Sequence, residues 1–179
     1  KRVTGVQTCA LPISSVTLQR RTQCKHNAAM SSLRAVVEML APDGDGFTIE
    51  APVEWSQGRT LYGGITAAFA HEAVRRSHEG LGPLRSAQFA FIGPAAGKLR
   101  FNSSLLRRGK SSALIASDCF NEEGVAARAL FVFGAARESK VTHDFFPMPD
   151  VPAADACKSF RKEGAEARPG FWNNFETRL

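Results

Sequence analysis

The stretch that most limits the fold is "YGGITAAFAHEAVRR", residues 62–76, because its helix has almost no bulk. Ala67, Ala68, Ala70 and Ala73 give it a thin waist, while Ile65, Phe69 and Val74 add apolar groups on more than one side. A helix that is apolar nearly all round is a buried helix, and small residues allow a curved sheet to approach it closely. A pair of glycines, Gly63 and Gly64, stands directly in front. Either the backbone comes close to something there, or the pair only eases a tight turn.

The flanking residues supply the sheet. "SSLRAVVEML" (31–40) carries Leu33, Val36, Val37 and Leu40 at helical spacing, with Ser31 or Ser32 as cap. "APDGDG" reads as a turn and "FTIEA" as a strand ended by Pro52. "VEWSQGRTLYGG" reads as a loop into a helix of about residues 64–79, with Gly80 as its C-terminal cap. The period then becomes two. Strands are expected at 84–92 (Ala87, Phe89 and Phe91 on one face), 98–106 (Leu99, Phe101 and Leu105), 112–120 and 125–135 (Phe131 and Phe133). Asp118 is expected to point outward from its strand. The short connections "GPAAG", "RRGKS" and "NEEG" predict an antiparallel meander. The order is therefore β–α–β–β–β–β, an α+β domain in which a curved antiparallel sheet wraps one long helix.

Charge excludes a nucleic-acid function. The formal net charge is +6, but Lys1, Arg2, Arg20, Arg21 and Lys25 lie in an acid-free stretch before Met30. The remainder holds 18 basic against 17 acidic residues, so the body carries no basic footprint. The opening "KRVTGVQTCALPIS" resembles a translated sequencing-adapter tract. It lacks the uninterrupted apolar core of a secretory signal, because Gln7, Thr8 and Pro12 break it. Residues 1–29 are thus expected to be a non-native or disordered extension. Residues 30–139 form the folded domain and 140–170, rich in proline and small residues, a linker. Residues 171–179, "FWNNFETRL", read as the opening strand of a second, truncated unit.

No apolar run approaches the roughly 18 residues of a membrane helix. Cys119 and Cys157 form no CxxC pair, and His26, His71, His78 and His143 lack zinc-ligand spacing, so reduced cytoplasmic thiols and no metal are expected. No GxSxG nucleophile elbow occurs. "RRGKS" is not a phosphate-binding Walker loop, since Ser104 stands where its first glycine belongs.

"GRTLYGG", "LRSAQFAFIGPAAG", "LRRGKS" and "FGAARES", in this order, resemble the N-terminal half of the double-hotdog acyl-CoA thioesterases, of the type II or thioesterase-like superfamily. The resemblance implies a hotdog fold, the first unit of two, and hydrolysis of an acyl thioester to free acid and CoA. It implies no cofactor beyond the CoA of the substrate; a lone unit leaves one sheet edge and half a binding groove unpaired, so self-association through that edge, or poor solubility, is expected. It also implies that the N–H of Gly64 holds the thioester oxyanion at the helix start, with Gly63 beside it.

Glu72, on nearly the same helix face, is the candidate carboxylate of this unit, or else a salt-bridge partner of Arg75 or Arg76. The family keeps its Asp, Thr and Gln catalytic set in the second unit. Arg108 and Lys110 are candidates for CoA phosphates, or else guard a sheet edge. Arg59 and Tyr62 line the pocket mouth or pack in the interface between units. Alternatives to the thioesterase are a non-catalytic acyl-CoA-binding module and an enoyl-CoA hydratase. The hydratase is disfavoured because His71 is rotated about 100° from Glu72 on the helix.

Overall fold

A computed structural model describes residues 32–143, 145–160 and 170–178. The extension expected at residues 1–29 lies outside them, as do Met30 and Ser31. Helix α1 (Leu33–Glu38) is capped by Ser32, whose Oγ accepts a hydrogen bond from the Ala35 N–H at 3.2 Å. Strands β1 (Ala41–Asp43) and β2 (Gly46–Glu50) form a hairpin. "APDGDG" is therefore part strand, and only Gly44, at φ +63, and Asp45 make the turn. Pro42 is tolerated because β1 is an edge strand. The segment read as a loop contains a second small hairpin, β3 (Ser56–Gln57) with β4 (Thr60–Leu61), turning at Gly58 and Arg59.

Helix α2 runs from Gly63 to Ser77. It stops earlier than its glycine suggests: His78 ends it in an extended conformation, and Gly80 is left-handed (φ +66) in the following loop. Strands β5 (Leu84–Phe91), β6 (Lys98–Arg108), β7 (Ser112–Asn121) and β8 (Gly124–Gly134) follow. The sheet order is β1-β2-β6-β7-β8-β5, antiparallel at every pairing.

Only β6–β7–β8 is a meander. β5 pairs with β8, not with β6, so "GPAAG" is a crossover along one end of the sheet rather than a hairpin turn. Its backbone is tied on both sides. Gly93 N–H donates to the Ala126 carbonyl (3.0 Å), and the Ala95 carbonyl accepts from the Leu61 N–H (2.8 Å). The Gly97 carbonyl accepts from the Ala51 N–H (2.9 Å). Short length alone suggested a hairpin; the hydrogen-bond partners come from elsewhere in the chain.

The core lies between α2 and the concave face of β6, β7 and β8. Ile65, Phe69, Ala70, Ala73 and Val74 of the helix meet Leu99, Phe101, Ile115, Phe131 and Phe133, all buried. Ala70 and Ala73 permit the close approach that the sequence suggests. Burial of each large side chain contributes about 1.5–3 kcal/mol. Leu105 departs from the expected inward set: a bulge follows it, and it is exposed. Phe89 packs against the core, but Ala87 and Phe91 are exposed along the edge strand β5. Asp118 does face outward, where Arg128 of β8 grips its carboxylate with two hydrogen bonds (2.6 and 2.9 Å). Among the described residues no helix is long and apolar enough to cross a membrane.

Candidate functional site

The glycine pair is positioned by the hairpin in front of it. The Leu61 N–H is held by the Ala95 carbonyl, the Tyr62 N–H donates to the Trp55 carbonyl at 2.9 Å, and Thr60 Oγ1 accepts from the Ala95 N–H at 2.8 Å. The chain thus reaches α2 in a fixed direction. In the first turn, the Tyr62 carbonyl accepts from the Ile65 and Thr66 N–H groups. The Gly63 and Gly64 N–H groups have no acceptor among the described residues, and no side chain caps the helix. These are the orphan donors of a 15-residue helix, at the positive end of its dipole.

Neither glycine is left-handed, so a turn does not demand them. What fills the space of their missing side chains is aromatic. A Cβ on Gly64 would lie 2.4 Å from Cε1 of Tyr62, and one on Gly63 would lie 3.0 Å from Cζ of Phe91. The two donors therefore sit between two rings.

The C-terminal aromatics, read from sequence as an opening strand, instead form a 3₁₀ turn over Phe171–Asn174 that folds back onto this site. Phe171 is buried and stacks on Tyr62, 4.5 Å between centroids with 5° between planes. Phe175 meets Tyr62 and Trp55 edge-on, at 5.4 and 5.9 Å. A period-two reading misses this, because the signal is a match of aromatic residues more than 100 positions apart. Tyr62 is thus half-buried, packed against this segment. Arg59 is exposed in the β3–β4 turn.

Glu72 stands elsewhere. Eight residues of helix rise place it about 12 Å along the axis from Gly64. Its carboxylate accepts from Arg76 Nε at 2.7 Å. Arg76 also donates to the carbonyls of Leu40 (2.7 Å) and Val37 (3.2 Å), tying α1 to α2, and lies over the Phe47 ring. The salt-bridge alternative for Glu72 is the geometry found. An open groove of about 780 Å³ between the helices is lined by Leu33, Val37, Ala68, His71 and Glu72, among others. His71 turns its ring toward Phe131 and Phe133. Burial lowers its pKa, Arg75 lowers it further, and Glu72 opposes them.

Arg108 and Lys110 lie at the other end of α2, about 20 Å from Gly64 by helix length. Arg108 donates to the Glu79 carbonyl at 3.0 Å, just past that end. Beside it, His78 Nε2 and Ser103 Oγ are 3.0 Å apart. The structure therefore groups Tyr62, Gly63 and Gly64, and separates them from both Glu72 and the basic hairpin. Sequence reasoning missed Phe91, Phe171 and Phe175 as neighbours of the glycines. Among the described residues, no three His, Cys, Asp or Glu side chains are placed to share a metal ion.

Residues 51–134 match the model of the acyl-CoA thioesterase N-terminal domain family. Among solved structures, the chain is similar to a hotdog-fold protein of unknown function from Alicyclobacillus acidocaldarius, with 27% identity and a TM-score of 0.72 over 84% of this chain and 56% of that one. It is similar to a candidate thioesterase II from Thermobifida fusca YX, with 15% identity and a TM-score of 0.65 over 81% and 53%. A tesB protein from Mycobacterium avium subs paratuberculosis has 19% identity and a TM-score of 0.59 over 70% and 49%. The last two show the fold alone. The chain spans about half the length of these solved proteins. A comparison with curated proteins gave no match. Across residues 51–134 this chain is therefore similar to the acyl-CoA thioesterase N-terminal domain family, and it folds as a hotdog.

Proposed function

We propose that the chain is a hotdog unit of an acyl-CoA thioesterase, which hydrolyses an acyl thioester to the free acid and CoA. The observation that carries this is the pair of N–H groups at the start of α2 that have no partner among the described residues, within a domain similar to this family. The thioester carbonyl oxygen accepts from the Gly64 N–H, with Gly63 beside it. As water attacks, the negative charge that develops on that oxygen meets oriented donors and the helix dipole. Collapse of the tetrahedral intermediate expels the CoA thiolate. The chemistry is hydrolysis, in which CoA enters as part of the substrate and neither a redox partner nor a metal is required.

A base must lie within hydrogen-bond reach of the attacking water. Glu72, some 12 Å along the helix and paired with Arg76, is not so placed for a carbonyl at Gly64. We assign Glu72 to the tie between α2 and α1, and the base to a second hotdog unit, as the family resemblance implies. A phosphate-binding role for Arg108 and Lys110 then requires the CoA moiety to run the length of α2. The exposed edge strand β5, ending in Phe91 and followed by the exposed Ile92, supports association with another such unit.

The test is release of free thiol from acyl-CoAs of graded chain length, by this chain and by the chain joined to a second hotdog unit. Release by either is expected. Acyl-CoA binding without release by both would leave a binding module and refute the proposal. Size-exclusion chromatography checks association: a stable monomer at all concentrations contradicts it.

A further inference from the structure

The two rings that bracket the glycine donors are held very differently. Phe91 is 60% exposed, and among the described residues its one aromatic contact is Phe89 of the same strand at 6.2 Å. Tyr62 is clasped. Its ring stands where a Gly64 side chain would go and is stacked on Phe171, while Phe175 closes the edge. The clasping segment is itself anchored to the hairpin before α2. Asn174 Nδ2 donates to the Glu54 carbonyl at 2.9 Å, and Phe175 packs on Trp55. Gly170 is left-handed (φ +89) and so close to β3 that a Cβ would lie 2.5 Å from the Ser56 carbonyl oxygen. The rings meet Tyr62 directly, while the side-chain hydrogen bond to Glu54 and the close backbone approach to Ser56 hold the clasping segment against the hairpin that leads to it.

We propose that Phe171 is a positioning residue. With Phe175 it fixes Tyr62 as the rigid wall of the acyl-thioester site at the start of α2, so that residues 170–175 set how tightly the acyl group next to the reacting carbonyl is gripped. The proposal rests on the thioesterase reading above. Phe91 is the opposite, movable wall. Loosening Tyr62 weakens binding of the acyl thioester more than it slows the chemical step, because the N–H donors stay where the helix puts them.

Tyr62 is the only tyrosine in the chain, so 3-fluorotyrosine gives a single 19F resonance for the wall. The experiment compares the labelled full chain, alone and joined to a second hotdog unit, with Phe171→Ala and Phe171→Tyr. Phe171→Ala is expected to move the resonance and to raise KM for acyl-CoA roughly three- to tenfold, the scale of one lost aromatic pair, with kcat changed less. Phe171→Tyr, which keeps the stack, restores both. Should Phe171→Ala fail to fold by near-UV circular dichroism, Phe171→Leu and Phe175→Leu carry the same comparison. Phe146→Ala, in the exposed linker, leaves both readouts unchanged.

A resonance unmoved by Phe171→Ala, or moved with KM unchanged, overturns the proposal. If the unsubstituted protein turns over no acyl-CoA, the thioesterase reading has failed, and a non-hydrolysable acyl-CoA thioether decides the wall. A Tyr62 resonance that responds to the thioether, less so in Phe171→Ala, supports it; one that ignores the thioether overturns it.

Discussion

Alanine placed at Gly63 and at Gly64, one residue apart in the same helical turn, should have different effects on stability. Both positions have ordinary helical backbones, so alanine gains up to about 1 kcal/mol of helix propensity at either, less in a first turn. At Gly63 the new Cβ meets Phe91 at 3.0 Å, and that exposed ring can swing into solvent. The expected result is a melting temperature unchanged or slightly raised. At Gly64 the Cβ arrives 2.4 Å from Tyr62 Cε1 and 3.1 Å from two further ring atoms.

Tyr62 must then leave its contacts with Phe171 and Phe175. Each aromatic pair contributes about 0.5–1.5 kcal/mol, so the loss of two outweighs the propensity gain by about 1–2 kcal/mol. At about 2–4 °C per kcal/mol for a chain of this size, the melting temperature falls by about 2–8 °C. Thermal melts followed by near-UV circular dichroism measure it. A double variant sharpens the attribution: in a Phe171→Ala background the Gly64→Ala cost should shrink. Equal shifts for the two glycine variants, or a cost at Gly64 that is unaffected by Phe171→Ala, would refute the reasoning.

Glu72→Gln should change stability by less than about 1 kcal/mol, as expected for a partly exposed ion pair. It should also leave thiol release within a few-fold; a drop of about 100-fold or more would make Glu72 the water-activating group after all. Stability should decline below pH 6.5. Burial lowers the pKa of His71 beneath that ordinary value, so the unfolded chain takes up a proton that the folded one refuses. The contribution is complete above pH 6.5 and is lost as pH falls through the lowered folded value. Urea midpoints at pH 7.5 and 5.5 should move closer together in His71→Phe, with a residual gap from His78, whose pKa burial and Arg108 also lower. The buried Cys119 thiol, its pKa pushed up to about 12, should resist thiol reagents at pH 8 until the chain unfolds.

Local pattern carried most of the fold. The alanine waist of α2 and the period-two runs of β6, β7 and β8 are written in consecutive residues, and their lengths and faces follow from them. Strand order is different. That β5 joins β8, and β6 joins β2, depends on partners 36 to 54 residues away, which no window of sequence displays. β1 escaped because Pro42 and the following glycines carry turn chemistry, acceptable only on an edge. At the site, the orphan donors of Gly63 and Gly64 were legible from the helix start, and the Glu72–Arg76 pair from its four-residue spacing. The rings around the donors were not. Phe91 arrives from the edge strand, and Phe171 and Phe175 from beyond the linker.

The crossover after β5 also has a consequence during synthesis. β5 is complete at Phe91, but its hydrogen-bonding partner β8 ends at Gly134, 43 residues later. At about 5–20 residues per second a ribosome takes roughly 2–9 s to cover that distance. Throughout it, an eight-residue strand carrying Phe89 and Phe91 has emerged, or is emerging, with no ladder to join. The meander of β6, β7 and β8 closes on itself as it appears. The nascent chain is therefore most in need of a chaperone between its helix and its last strand, and pausing translation there should raise the yield of aggregate.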